Sequence, residues 1–341
     1  MQPRAKGLAL TLLATLWISP DALLITLLST LSPPTPPSQI VFYKFLFAFF
    51  SQTLLTCWVL RSTKVTGKPG FISHLLSLKT SGHLLPLSFL YSFASITLSY
   101  AFVFTSSANA LVLYSLHIVW TSLGGYWWLG DSLEKRSKVL VMVGGGCALA
   151  VFWGEKEESE SNSNSNSELG CLLALVASLM WAGLMLTIRL ASQSPRLPRE
   201  ASLLPATCLG SLLSVILVLP IGGDVFVTVP LPPSPASSQV LLLSFLDGSL
   251  VVGVAMLLYT IGPKLITAAE VTLLCLLEPC VAPLWVWVGT GEVPSRTTVV
   301  AGCVLLCSLA GHEVLAMRES ELPEYVRKDK DVGVEAVQIQ I

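Results

Sequence analysis

The chain contains few charged residues for its length. Of its 341 residues only 12% are charged, whereas 53% are hydrophobic. An ordinary soluble domain has roughly 25% charged residues. A soluble protein with so few charges would expose large apolar patches to water and aggregate. The composition therefore excludes an ordinary soluble protein.

Sequence motifs for several kinds of chemistry are also missing. The chain has no phosphate loop or dinucleotide-binding fingerprint, so nothing supports transport driven by ATP hydrolysis in this chain. A zinc-protease motif fails because Ala316 stands where a second histidine would have to follow His312 and Glu313. The net charge of −1 indicates no nucleic-acid partner. We expect no cofactor, no metal site and no enzyme activity.

Long apolar runs fill most of the chain. A run of about 18 to 25 residues is long enough to cross the roughly 30 Å hydrocarbon core of a bilayer. Between polar, proline-rich or glycine-rich breaks, the runs predict ten transmembrane helices: residues 7–31, 40–60, 84–104, 107–129, 137–153, 169–191, 202–222, 240–262, 265–289 and 298–317. The sequence thus predicts an all-α polytopic membrane protein.

Positive charge is distributed unevenly around these ten helices. With the N-terminus inside, sixteen Lys and Arg residues fall in inner segments, and only Lys156 and Arg296 fall in outer loops. Such an excess of Lys and Arg marks the cytoplasmic side of a membrane protein. We therefore expect an integral multi-pass protein with both termini cytoplasmic. The sequence does not indicate which membrane holds it.

The second half of the sequence repeats the first. The stretch that begins at Ser106 aligns without a gap on the stretch that begins at Thr267, and LATLW ending at Trp17 matches ASLMW ending at Trp181. An odd number of helices in each half gives the two copies opposite orientations, as in many secondary transporters. We predict two inverted five-helix repeats over residues 1–153 and 169–317, a polar outer linker over 154–168 and a disordered cytoplasmic tail over 318–341.

With these features the sequence resembles the EamA-type ten-helix transporters of the drug/metabolite transporter superfamily. The resemblance rests on the two five-helix halves, the LATLW and ASLMW helices, FYKFLFAFF around Lys44, and the pattern from Leu277-Glu278-Pro279 to Gly291-Glu292. The first-half copy departs at Ile118, where the family usually has proline. The resemblance implies a transporter of small organic solutes, such as amino acids, amines, nucleobases or phosphorylated sugars, and does not identify the substrate.

Glu278 and His117 are the first predicted site residues. An ionisable group at the bilayer centre costs about 2.5–3.5 kcal/mol, so each needs a partner or a function. The repeat places His117 and Glu278 at equivalent positions, and Pro279 and Pro283 predict a helix bend beside a watery cavity. We expect Glu278 to bind a proton or a cationic group of the solute. The alternative is a buried hydrogen bond that holds helices together.

Three further charged residues lie deep in the predicted helices. Asp21 and Lys44 fall at nearly the same depth and predict an ion pair, which serves either function or only the neutralisation of two buried charges. Asp247 lies deep in the eighth helix, and we expect it to face the same cavity.

Aromatic and small residues add two predictions. Trp17, Trp181 and Tyr114 are candidates to offer ring faces to an organic solute, although ordinary packing is the more common role of such aromatics. The glycines at 144–146, with Gly302 and Gly311, would permit close helix packing or a homodimer.

The predicted function is secondary transport by alternating access, either coupled to protons or as an exchanger. Two alternatives stay open. One is a membrane scaffold or channel without such transport. The other is an intramembrane enzyme that uses Asp21 and Asp247 as an aspartyl pair, although neither lies in a recognisable protease motif.

Overall fold

The computed structural model describes residues 3–31, 35–62, 70–129, 139, 142–151, 153–154, 166–195, 203–222, 235–265, 271, 274–275 and 277–320. Within these ranges every regular element is a helix, and no strand occurs. A helix pairs its own backbone N–H and C=O groups, which is why helices suit a bilayer. Most of the predicted linker, residues 155–165, and of the predicted tail, residues 321–341, lies outside the described residues.

The first half of the chain forms short and long helices in alternation: α1 (Pro3–Ile18), α2 (Asp21–Ser29), α3 (Pro37–Ser62), α4 (Phe71–Thr80), α5 (Leu84–Phe104), α6 (Ser107–Tyr114), α7 (His117–Leu129) and α8 (Met142–Val151). The second half forms α9 (Ser167–Gln193), α10 (Leu204–Val218), α11 (Pro235–Phe245), a π-helix (Leu246–Val252), α12 (Gly253–Ile261), a 3-10 turn (Gly262–Leu265), α13 (Glu278–Thr290) and α14 (Arg296–Ser320).

α14 runs past the predicted boundary at residue 317 to Ser320. The residues that extend it, Arg-Glu-Ser at 318–320, include good helix formers, and the next helix breaker along the chain is Pro323. The first part of the predicted tail is therefore helical.

Five helical segments of the described residues are long and apolar enough to cross a membrane: Arg4–Ser29, Pro37–Arg61, Leu84–Phe104, Ser167–Ala191 and Ser238–Tyr259. They coincide with predicted helices one, two, three, six and eight. Three other apolar helices are shorter: Met142–Val151, Leu204–Val218 and Arg296–Gly311. The 15 residues of α10 extend about 22 Å at 1.5 Å per residue, less than the roughly 30 Å core. Five of the ten predicted spans are confirmed by length and composition.

Helices from the two halves of the chain pack against each other. α5 lies against α9 and α10, α3 lies against α10 and the π-helix, and α1 lies against α12. Small side chains let helix backbones approach closely in a membrane protein. Such residues are fully or almost fully buried on these helices: Ala14, Ala48, Ala94, Ala101, Ala174, Ala177 and Ala255.

Large apolar side chains cover much of the outer surface. Leu54, Leu85 and Trp127 are more than 70% exposed. An exposed surface of this kind marks contact with a membrane or another protein. Together with the five spans, it indicates an integral membrane protein.

Gly248 allows the π-helix to touch α3. A Cβ atom at this position would collide with the backbone carbonyl oxygen of Lys44 and come within 3.0 Å of the backbone nitrogen of Ala48. Backbone atoms cannot turn away from a clash as the end of a side chain can. A residue without a Cβ atom is therefore required where the π-helix meets α3.

Gly248→Ala is expected to push the π-helix away from α3 and to destabilise the protein by about 1–3 kcal/mol, the usual cost of overpacking. Gly145→Ala on α8 is the matched control, because a Cβ atom there meets no atom within 4 Å. Thermal unfolding of both purified variants in detergent measures the difference. Equal midpoints for the two variants would contradict the contact.

Candidate functional site

Asp21 lies at an interruption of the first membrane span. α1 ends at Ile18, a turn over Ser19 and Pro20 follows, and α2 begins at Asp21. A proline suits the start of a helix but not its continuation, so Pro20 explains why a new helix begins there. An acid in the first turn also interacts favourably with the positive end of the helix dipole.

His117 and Glu278 lie at matching interruptions. A short turn separates α6 from α7, which begins at His117. In the second half, α13 begins at Glu278 directly after a turn residue, Leu277. The two residues are 161 positions apart, so the residues aligned by the internal repeat both begin a helix.

The two predicted bend prolines occupy different positions in α13. Pro279 lies in the first turn, where its missing N–H group removes no intrahelical hydrogen bond. Pro283 lies inside the helix, where it leaves the carbonyl group of residue 279 without its usual partner. The interruption therefore precedes Pro279 and places Glu278 at a helix start.

Asp247 lies in the π-helix that joins α11 to α12. Short π-helical segments are rare and are found frequently at functional sites. The residue is completely buried, and neither of its carboxylate oxygens has a hydrogen-bond partner among the described residues. A buried acid in this state requires charge compensation or a proton.

Lys44 lies between the two aspartates in an uninterrupted part of α3. Its ammonium group forms the ion pair with Asp21 that the sequence predicts, and it lies 3.5 Å from Oδ2 of Asp247. Lys44 is only 2% exposed. We call these three residues, from α2, α3 and the π-helix, the ion cluster.

The contact between Asp247 and Lys44 was not predicted. The sequence shows only that the residues belong to different helices at compatible depth. Depth alone does not say which helices are neighbours, and the π-helix that orients Asp247 has no clear sequence signature. Sequence reasoning therefore found the three members but paired only two of them.

A second polar group beside Lys44 was missed completely. Tyr91 interacts electrostatically with Lys44, and its hydroxyl oxygen accepts a hydrogen bond of 3.2 Å from Nε2 of Gln52. Ser211 donates a hydrogen bond of 3.1 Å to Oε1 of Gln52. The available signal was the position of Gln52, two helical turns after Lys44 in an otherwise apolar helix.

Glu278 has no direct polar partner. Its side chain is partly buried, and its carboxylate makes no hydrogen bond or ion pair with another described residue. It interacts electrostatically with Asp21 and Lys44, so it lies near the ion cluster without joining it. An acid placed in this way is available to bind a mobile cation.

The aromatic residues near Glu278 come from several helices. Tyr114 and Tyr259 both interact electrostatically with its carboxylate. The Tyr114 ring lies 5.1 Å from the His117 ring and 6.1 Å from the Trp181 ring, measured between centroids. Tyr114, Trp181 and His117 therefore form one aromatic group, as a binding surface for an organic solute would need.

His117 itself is held by the backbone. Its Nδ1 atom lies 2.9 Å from the carbonyl oxygen of Tyr114. Among the described residues, no hydrogen bond joins His117 to Glu278, its partner in the repeat. The repeat thus places the two residues at equivalent points of their own helices without bringing them into direct contact.

Trp17 is oriented differently from Trp181. Its Nε1 atom donates a hydrogen bond of 2.7 Å to the carbonyl oxygen of Leu250, inside the π-helix, and its side chain is 43% exposed. This bond joins α1 to the π-helix, whose geometry changes the pairing of backbone carbonyl groups. The observed contact favours an anchoring role for Trp17.

Glu292 lies in the turn between α13 and α14 and connects the two halves. Its Oε1 atom accepts a hydrogen bond of 3.1 Å from the backbone N–H of Ser107, at the start of α6. Burial raises the pKa of the Glu292 carboxyl group, and the hydrogen bonds from Ser107 oppose that effect. Gly291 makes the turn possible, since its φ of 77° is favourable only for glycine.

Metal ligands do not gather anywhere in the described part of the chain: no group of three His, Cys, Asp or Glu residues is placed to hold an ion. An apolar groove lies elsewhere, between α8 and α14, and is lined by residues such as Gly146, Ala150 and Val300. It contains none of the predicted site residues.

Comparison with known proteins agrees with these observations. A sequence model of the EamA-like transporter family matches residues 168–311. A solved crystal structure, described only as that of a protein, resembles the chain with a TM-score of 0.55 at 17% sequence identity. That similarity covers 94% of this chain and 99% of the other, and at this identity it concerns the fold alone. No curated protein sequence matches the chain. Residues 168–311 of the chain are thus similar to the EamA-like transporter family, which is part of the drug/metabolite transporter superfamily.

Proposed function

We propose that the protein is a secondary transporter of a small organic solute that works by alternating access. The observation that carries the proposal is the position of Asp21, His117, Asp247 and Glu278, each at an interruption or π-helical segment of a membrane helix. Secondary transporters of several folds bind solutes at such discontinuous helices near the membrane midplane. Broken backbone at that depth persists only beside protein or a watery cavity.

The proposed architecture has ten transmembrane helices in two inverted five-helix repeats. The matching helix starts at His117 and Glu278 support it, and so does the fold similarity over nearly the whole chain. In this arrangement the solute site lies between the halves, and both termini lie on the cytoplasmic side, as the distribution of Lys and Arg indicates.

Glu278 is the proposed contact for the solute. Its carboxylate has no hydrogen-bond or ion-pair partner among the described residues. It interacts electrostatically with Tyr114, which belongs to the aromatic group of Tyr114, His117 and Trp181. The nearby charged side chains are two acids and one base, Asp21, Asp247 and Lys44. Because Lys44 is paired with Asp21, it does not neutralise the Glu278 carboxylate, whose negative charge favours a solute with an amino or other cationic group.

The contacts of Lys44 argue against the aspartyl-protease alternative. An aspartyl pair works when two carboxylates share one proton. Here an ammonium group reaches both Asp21 and Asp247 and is paired with the first. The Lys44 ammonium group occupies the Asp21 carboxylate, which would have to accept a proton from water in such an enzyme, so we favour transport over proteolysis.

Uptake by reconstituted vesicles tests the proposal. Proteoliposomes with the full chain are to be screened with arginine, putrescine, choline, phenylalanine, adenine and glucose 6-phosphate, and we expect uptake of a cationic member. Glu278→Gln is expected to lower its initial rate at least tenfold, since a bond to a charged group contributes about 1.5–3 kcal/mol, and roughly 1.4 kcal/mol corresponds to a factor of ten.

The matched control for this assay is Glu168→Gln, which neutralises an acid in the first turn of α9. This control should transport at the wild-type rate, and Glu278→Asp should keep part of the activity. Uptake that is equal in Glu278→Gln and the wild type would remove Glu278 from the site. No uptake of any panel member by the wild type, with the protein folded, would count against transport of these solute classes.

The contact between Glu292 and Ser107 provides a test of alternating access. In the proposed orientation this contact closes the outer side, and Ser107 is only 2% exposed. We expect a membrane-impermeant maleimide to label Ser107→Cys weakly in intact cells, and to label it at least several-fold faster when Glu292→Gln is added. Loss of the hydrogen bonds to Glu292 favours the outward-open state in that variant.

Val293→Cys is the matched control, because Val293 lies in the same turn and is 72% exposed. This cysteine should be labelled rapidly from outside with or without Glu292→Gln. In cells shown to carry the protein at their surface, labelling of Val293→Cys only after permeabilisation would contradict the proposed orientation. Unchanged labelling of Ser107→Cys in the Glu292→Gln background would contradict the gating role of the contact.

A further inference from the structure

The ion cluster contains more negative than positive charge. Asp21 and Asp247 face one ammonium group, that of Lys44, and all three groups are shielded from solvent: the side chains of Lys44 and Asp21 are 3% and 14% exposed, and that of Asp247 is 0% exposed. With both carboxylates ionised, the cluster would hold one uncompensated charge in a low-dielectric interior. Such a charge is costly, and proteins commonly avoid it by binding a proton.

Among the described residues, the surroundings of the ion cluster provide no second cation. The charged groups on elements packed against the π-helix that face Asp247 are Asp21 of α2 and Lys44 of α3. Tyr91 of α5 and Glu278 of α13 face Lys44, and Tyr114 of α6 faces Asp21. Every one of these neighbours except Lys44 is neutral or acidic, so none of them offsets the excess negative charge.

The two aspartates are not equivalent. Lys44 pairs directly with Asp21, whereas it lies 3.5 Å from Oδ2 of Asp247, too far for a good charged hydrogen bond. Both oxygens of Asp247 lack hydrogen-bond partners among the described residues. The direct ammonium partner favours an ionised Asp21, and this leaves Asp247, which lies beside the Asp21 carboxylate, as the neutral, protonated member.

The backbone around Asp247 connects the ion cluster to elements from both halves. The π-helix contacts α1, α2 and α3 of the first half, and it continues into α12 of the second. The missing Cβ atom of Gly248 lets the π-helix lie closely against α3. The hydrogen bond from Trp17 to Leu250 joins the π-helix to α1. A change of charge at Asp247 would therefore act where the two halves meet.

We propose that the ion cluster binds one transportable proton, which couples solute movement to a proton gradient. This proposal rests on the transport function proposed above and assigns the coupling site within it. The proton leaves the O–H group of Asp247 for water, and Lys44 then shares its positive charge between two carboxylates. The remaining negative charge is compensated by a cationic solute at Glu278 or by the return of a proton.

Infrared spectroscopy of the purified full chain tests proton binding without any solute. Ordinary aspartates have a pKa of about 3.9 and are ionised at neutral pH, so a carboxylic-acid C=O band that shifts on labelling with 4-¹³C-aspartate reports a buried, protonated aspartate. We expect such a band in the wild-type protein at neutral pH. Because this comparison requires no substitution, it does not depend on the folding of a variant.

Substitutions then assign the band. Asp247→Asn is expected to abolish it, and Glu278→Gln is expected to leave the aspartate band in place. Lys44→Met removes the cation of the ion cluster, so both aspartates should become protonated and the labelled band should grow about twofold. Glu168→Gln is the control and should give the wild-type spectrum.

Three results would overturn the proposal: a wild-type spectrum without an aspartate C=O band at neutral pH, a band that persists in Asp247→Asn, or a band lost on addition of Na⁺ at constant pH. The last result would identify a metal cation as the occupant. These outcomes are independent of uptake, so failure of the proton site can be distinguished from failure of the transport function.

Discussion

The arrangement around Lys44 constrains the rest of the site. Its ammonium group lies in the interior of the protein and can be tolerated there only with acidic partners, which Asp21 and Asp247 provide. To reach one cation, the two aspartates must come from separate helices, α2 and the π-helix, that meet at α3. The packing of these three elements, including the requirement for Gly248, follows from holding that charge in place.

The helix interruptions are the backbone counterpart of the buried charges. Asp21 and Glu278 both occupy the first turn of a helix, where the helix dipole stabilises a negative charge. His117 begins the equivalent helix of the first repeat. A continuous helix would expose none of its backbone groups at this depth, whereas an interrupted helix offers N–H and C=O groups to a solute or to water. Charge and backbone polarity are thus concentrated in the same part of the protein.

Much of this could be predicted from the sequence, and the exceptions have physical causes. Composition and apolar run length identify a helical membrane protein, because a bilayer restricts its proteins strongly. The repeat aligns His117 with Glu278, and depth suggests the ion pair of Asp21 with Lys44. The contact of Asp247 with Lys44 and the network of Tyr91 with Gln52 depend on which helices are neighbours. Long-range packing of that kind is not encoded in local hydropathy.

The interruptions of the membrane helices are the other feature that the sequence predicts only in part. Pro20 and Pro279 mark two of the interruptions, but the turn before His117 and the π-helix at Asp247 contain no proline. Tertiary contacts determine the turn before His117 and the π-helix at Asp247, so the sequence predicts uninterrupted spans at both places. Trp17 illustrates the same limit: its position in the repeat does not indicate that its indole N–H bonds the π-helix.

Solute-driven proton movement is the most direct test of the account. Proteoliposomes loaded with a pH-sensitive dye should show a change of internal pH when the transported member of the solute panel is added to the wild-type protein. Asp247→Asn should abolish the pH change while still exchanging labelled for unlabelled solute. The account would be contradicted if the wild-type protein moved solute without any change of internal pH and if its rate of solute movement equalled that of Asp247→Asn.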